Sequence, residues 1–115
     1  MTLTVYGIPN CDTVKKARTW LDAHSIAFTF HDYKKVGIDR ASLDRWCDAL
    51  GWEVVLNKAG TTFRGLPAEE KADLSRDRAI KLMLANPSMI KRPVVEADGI
   101  LLVGFKPDLW VATFA

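Results

Sequence analysis

The sequence predicts an α/β fold in which a helical stretch separates a βαβ half from a ββα half. A short apolar run, Leu3 to Tyr6, passes into a helical pattern and then into the alternating stretch IAFTFHDY. Near the other end, Asp98-Gly99 divides two β-rich runs. Between these halves the apolar residues recur at helical spacing. Strand, helix and strand in succession pair in parallel with a right-handed crossover, whereas Asp-Gly between two strands marks a two-residue hairpin and an antiparallel pair.

Taken in order, Leu3 to Tyr6 reads as a buried strand. Asn10 is expected to cap a helix from about Cys11 to His24, with Val14, Ala17 and Leu21 on its apolar face. Ile26, Phe28 and Phe30 alternate with Ala27, Thr29 and His31, the period of a second strand. Asp39 is placed to cap a further helix, whose apolar row Leu43, Trp46, Cys47 and Leu50 has i, i+3, i+4, i+7 spacing and ends at Gly51. NKAGTTFRGLP reads as turn-rich, Pro67 as the start of a short helix, and Ser75 as the cap of another running to Asn86-Pro87. After the hairpin, Lys106-Pro107 opens a closing helix with Leu109, Trp110, Ala112 and Phe114. No repeat or linker divides the chain, so residues 1–115 are expected to form one domain, with the helical insertion at about 39–90.

Composition narrows the function. The 115 residues are 49% hydrophobic and 26% charged, a globular balance, and the net charge is only +2. Basic residues alternate with acids, as in Asp39, Arg40, Asp44, Arg45 and Asp48, so neither a nucleic-acid face nor an anionic-membrane face is expected. The N-terminal MTLTVYG lacks the features of a signal peptide, and no apolar run reaches the length of a spanning helix, so a cytoplasmic protein is expected. Cys11 and Cys47 are the only cysteines, and His24 and His31 do not group with them at metal-ligand spacing. No metal is expected.

The chemistry centres on Cys11. A cysteine in the first turn of a helix that follows a strand meets unpaired backbone N–H groups and the positive end of the helix dipole, both of which favour a thiolate. Lys15, one turn on, favours the anion, and neighbouring Asp12 opposes it. Cys47 lies in an apolar row, where burial favours the neutral thiol. The position three after Cys11 is Val14, so there is no C-x-x-C pair and a resolving thiol must come from outside. Arg92-Pro93 precedes a strand, where Lys91 and Arg92 are either solvated loop charges or anion-binding groups aimed at the Cys11 end of the sheet. Asn57, Lys58, Arg64 and Lys106 read as surface residues on spacing alone.

YGIPNCDTVKKA, NKAGTTFRGL and MIKRPVVEADGILLVGF together resemble the arsenate reductase-like (ArsC/Spx/YffB) branch of the thioredoxin fold, over essentially the whole chain and closest to YffB-like members. The resemblance implies a mixed four-stranded sheet, a cis-proline at Pro93 beside the cysteine, and a reductase role with glutathione as cosubstrate and no bound cofactor. It implies the attacking cysteine at Cys11 and an oxyanion-binding arginine at Arg92. Asn10, Lys15, Pro93 and Lys106 complete the expected substrate or glutathione site. The chain departs from the family at two further arginines: none stands around Asn57-Lys58, and Lys106 occupies the place of the other. The expected protein is a monomeric, glutathione-dependent thiol reductase acting on a small disulfide or oxyanion. The alternatives are an Spx-like, non-enzymatic regulator binding RNA polymerase, or a true arsenate reductase.

Overall fold

The computed structural model describes residues 3–114. They divide into two compact units, one made of the chain up to Tyr33 and from Arg92 onward, the other of Lys34–Lys91.

In the first unit, β1 (Thr4–Gly7) is followed by α1 (Asp12–Ala23) and β2 (Thr29–Asp32), and then by α2 (Tyr33–Val36), which begins on the unit's last residue before the insertion. After the insertion come β3 (Val94–Ala97), β4 (Ile100–Val103) and α8 (Pro107–Phe114). The four strands form one mixed sheet in the order β2-β1-β3-β4. β1 and β2 are parallel, while β3 is antiparallel to both β1 and β4. Pairing of Val5 with Phe30 and Val95, and of Val95 with Leu102, draws one apolar row across the sheet. Against that row lie Ala17 and Leu21 of α1 and Trp110 of α8, all fully buried. Side chains two apart on a strand share a face, and Val14, Ala17 and Leu21 lie on one stripe of a 3.6-residue helix. These two periods meet to make the core.

Two glycines set the geometry of this unit. Gly99 holds φ +74° in the hairpin turn, a conformation that glycine adopts without steric cost. Gly7, at the end of β1, lies so close to α1 that a Cβ there would sit 2.9 Å from Val14 Cγ2. The indole N–H of buried Trp110 finds no hydrogen-bond partner among the described residues. Trp20 and Phe105 meet its ring edge-on, with centroids at 5.6 and 4.8 Å, a favourable aromatic geometry.

The second unit is helical, comprising α3 (Arg40–Leu50), α4 (Trp52–Val55), α5 (Thr61–Arg64), α6 (Ala68–Lys71) and α7 (Arg76–Ala85), with a 3₁₀ turn at Pro87–Met89. The expected caps are present. Asp39 Oδ1 accepts the Ser42 N–H at 2.8 Å, and Ser75 Oγ accepts the Arg78 N–H at 3.3 Å. Gly51, at φ +92°, ends α3. Leu43, Trp46 and Cys47 of α3 are buried, as are Ala79, Ile80 and Met83 of α7. Arg76 ties the outer faces together, reaching Asp48 at 2.8 Å and Asp44 at 3.2 Å.

Two expectations are corrected. Asn10 is not the cap of α1: Cys11 holds that position, in extended conformation (φ −141°, ψ 123°) and with no side-chain capping bond, so the helix starts one residue later. The stretch read as turn-rich contains α5, because Phe63 buries its ring and draws the backbone into a helical turn. The short helix expected at Pro67 is present as α6, with Pro67 as its cap. Within α8 only Trp110 is buried, whereas Leu109 is 47% exposed.

Candidate active site

Strand directions decide which loops meet. β1 runs toward Gly7, and β2, parallel to it, ends with Asp32 beside Gly7. β3 begins with Val94 beside Tyr6, and β4 ends with Val103 beside Val94. The loop to Cys11, the start of α2 at Tyr33, the Arg92-Pro93 pair and the segment Gly104 to Lys106 therefore all leave from one end of the sheet. In open α/β sheets this end, outside the carboxyl ends of the parallel strands, is where ligands bind.

At that end Cys11 is half-buried and carries a free thiol. Its carbonyl accepts the Lys15 N–H at 2.9 Å, closing the first turn of α1. As N-cap it stands where the first N–H groups of a helix lack intrahelical acceptors and the dipole favours negative charge. Asp12 is also in this turn. The Arg92-Pro93 peptide bond is cis, as the resemblance implies. Pro93 is buried, its carbonyl accepts the Gly104 N–H at 2.8 Å, and Arg92 before it is half-buried. This bond fastens the start of β3 to the end of β4 and so fixes the place from which the guanidinium extends.

Asn10, next to Cys11, and Lys15, one turn beyond it, are exposed. Lys106 is exposed and leads into α8, its carbonyl accepting the Trp110 N–H at 3.0 Å. Lys91, Asn57, Lys58 and Arg64 belong to the other unit. There the Lys91 N–H donates to the Val55 carbonyl at 2.9 Å, Asn57 Oδ1 accepts the Ala59 N–H at 3.2 Å, and Lys58 Nζ lies 5.2 Å from the Trp52 ring centroid. Cys47, also in that unit, is 5% exposed; burial pushes its thiol up, Arg76 pulls it down, and Asp44 and Asp48 add to the rise.

Tyr33 is the residue that the sequence reading missed. It is fully buried at the end of β2. Burial raises its phenol well above the ordinary tyrosine value, the Arg92 charge lowers it, and Cys11 and Asp32 raise it further. The phenol is thus within electrostatic reach of both Arg92 and Cys11. The signal was available in the parallel βαβ pattern, which places the residue after β2 at the same sheet end as the residue after β1.

Among the described residues no group of three histidine, cysteine or acidic side chains could hold a metal ion, and no helix is long and apolar enough to cross a membrane.

This fold has close counterparts. A YffB protein of solved structure is 63% identical and superposes with a TM-score of 0.95, covering 98% of this chain and 99% of its own. An arsenate reductase (ArsC) related protein from Brucella melitensis is 56% identical, with a TM-score of 0.78 over 99% of this chain and 95% of its own. The global transcriptional regulator Spx of Streptococcus mutans is 27% identical over 92% of this chain and 78% of its own length. The fold is accordingly thioredoxin-like, with the mixed four-stranded sheet that the resemblance implies. Residues 6–113 match the ArsC family, and the chain belongs to that family.

Proposed function

We propose that the chain is a thiol reductase that uses glutathione. The observation that carries this reading is the convergence of Cys11, at the cap of α1, with Arg92 and Pro93 at one end of the sheet. In the first step the Cys11 thiolate attacks one sulfur of a mixed disulfide between substrate and glutathione. A bond forms between Cys11 and the glutathione sulfur, and the substrate leaves as a thiolate that takes up a proton. A second glutathione thiolate then attacks the Cys11 adduct, releasing oxidised glutathione and restoring the Cys11 thiolate. One disulfide is consumed and one formed, and the two electrons come from glutathione.

Arg92 supplies a forked cation for a glutathione carboxylate or an oxyanion. Backbone beside Pro93 pairs with the cysteinyl segment of glutathione, while Asn10, Lys15 and Lys106 border the anion. The protein acts as a monomer in the cytoplasm, where glutathione is abundant. Arsenate reduction is the poorer reading, since the chain has Lys106 and Asn57-Lys58 in place of two family arginines.

A second reading rests on the Spx likeness: a regulator that docks on RNA polymerase without turnover. One experiment separates them. Purified protein incubated with a small glutathione mixed disulfide should gain one glutathione at Cys11, by mass, and release reduced substrate over many cycles when glutathione is supplied. Capture of RNA polymerase with no turnover would favour the regulator.

A further inference from the structure

Along α1 runs an open groove of about 460 Å³, floored by Trp20, Ala23, Phe105 and Pro107 and bordered by Lys15 and Lys16. Neither the thiol exchange at Cys11 nor anion binding at Arg92 uses this floor. We propose that the groove seats a peptide segment of the substrate, with an acidic residue next to its reactive cysteine and apolar side chains beyond. This proposal rests on the thiol reductase reading and names its substrate class.

Three features identify the occupant. The groove starts one helical turn from Cys11, at the sheet end where Phe105 and Pro107 lead into α8, so a substrate joined to the glutathione sulfur that Cys11 attacks lies at its mouth. From Lys15 to Ala23 is eight residues of helix, about 12 Å at 1.5 Å per residue. An extended chain covers that in about four residues at roughly 3.3 Å each, whereas a small oxyanion or a single thiol would leave it empty. Its charge is also one-sided. Both lysines lie at the Cys11 end with Phe105 and Pro107, no acidic side chain is among the lining residues described, the exposed Asp12 beside Cys11 standing outside them, and farther along α1 the wall is Thr19, Trp20 and Ala23. The reactive cysteine therefore comes first, the acidic residue next, and the apolar residues over Trp20. Exchange is the balanced pair of steps given above, with the peptide as the departing thiolate.

The test uses three capped tetrapeptides: Cys-Glu-Leu-Leu, Cys-Lys-Leu-Leu and Cys-Glu-Ser-Ser. Each is titrated in reduced form into ¹⁵N-labelled full-length protein under reducing conditions. Cys-Glu-Leu-Leu should shift the amides of residues 15–23 and 105–107, with a Kd at least tenfold below those of the other two. In Lys16→Glu the order of the first two peptides should reverse. Absence of shifts along α1, or equal affinity for all three peptides, would overturn the groove whatever the turnover. The glutathione mixed disulfides of the same peptides are then assayed, and kcat/KM should follow the same order. Selective binding without turnover of any disulfide would uphold the groove and remove the reductase reading. Turnover of all three at equal kcat/KM would do the reverse.

Discussion

Cys11 and Cys47 show how local setting decides what one side chain does. Cys11 caps a helix at the sheet end and is half-buried, while Cys47 is closed into an apolar row among helices, its thiol held neutral by burial. An alkylating reagent at neutral pH should therefore modify Cys11 at least tenfold faster than Cys47. Cys11→Ser should abolish the glutathione adduct, and Cys47→Ser should retain it with a modest loss of stability from a hydroxyl in the core. Loss of adduct in Cys47→Ser as well, read by mass, would mean that Cys47 is needed to form it, whereas an adduct that the wild type clears without added glutathione and Cys47→Ser retains would mean that Cys47 resolves Cys11. For Arg92 the expectation is a binding effect. A well-placed charge-assisted hydrogen bond contributes roughly 1.5 to 3 kcal/mol, so Arg92→Ala should raise the glutathione concentration for half-maximal rate about tenfold or more, equivalent to about 1.4 kcal/mol. Arg92→Lys should recover part of this, because a point charge lacks the fork. A concentration dependence unchanged in Arg92→Ala would return the residue to the solvated charges.

Among the elements, those that carry their own local signal were legible in the sequence. The α3 helix has a capping Asp39, a four-residue apolar row and a terminating Gly51, and the hairpin has Asp98-Gly99. The short helices α4 and α5 lack such signals: each is only four residues long, and their single buried anchors, Val55 and Phe63, give no period to read. The start of α1 was misplaced by one residue because Asn10 is the better capping side chain on propensity. In the structure the extended cap residue is Cys11 instead, after β1 comes close to α1 at Gly7. That contact can be tested. Gly7→Ala would drive a methyl to 2.9 Å from Val14 Cγ2 and 3.4 Å from Cγ1, an overpacking expected to cost about 1–3 kcal/mol. Adding Val14→Ala removes the obstructing methyls, so denaturant melts should find the double variant less destabilised than the sum of the singles. Strict additivity would show that the helix shifts freely and that Gly7 does not fix the place of Cys11.

At the scale of the molecule, the site was legible only as far as topology can be read from order. The βαβ and ββα patterns predict the pairing within each half, but that β3 runs antiparallel beside β1, and hence that Arg92 and Cys11 share an end, is implied by the family resemblance and seen in the sheet. They do not predict that Tyr33 is buried there, which depends on packing around the start of α2. Each compact unit thus holds a buried weak acid in its neutral form, Tyr33 in one and Cys47 in the other. For both groups the folded state binds the proton more tightly than the unfolded chain does. Their contribution to stability is therefore complete below the ordinary values, 9.0 for the thiol and 10.0 for the phenol, and is lost as pH rises toward the higher folded values. The thermal midpoint should hold from pH 7 to about 9 and fall above it, since the unfolded chain releases protons that the folded chain retains. Cys47→Ser should lessen the fall that begins near pH 9, and Tyr33→Phe the fall that begins near pH 10, because neither replacement ionises in this range. The two effects should add in the double variant if the groups titrate independently. The measurement is a set of calorimetric scans between pH 7 and 11. An alkaline fall of the same size in the wild type and both single variants would place its origin in other groups and deny Tyr33 and Cys47 this role.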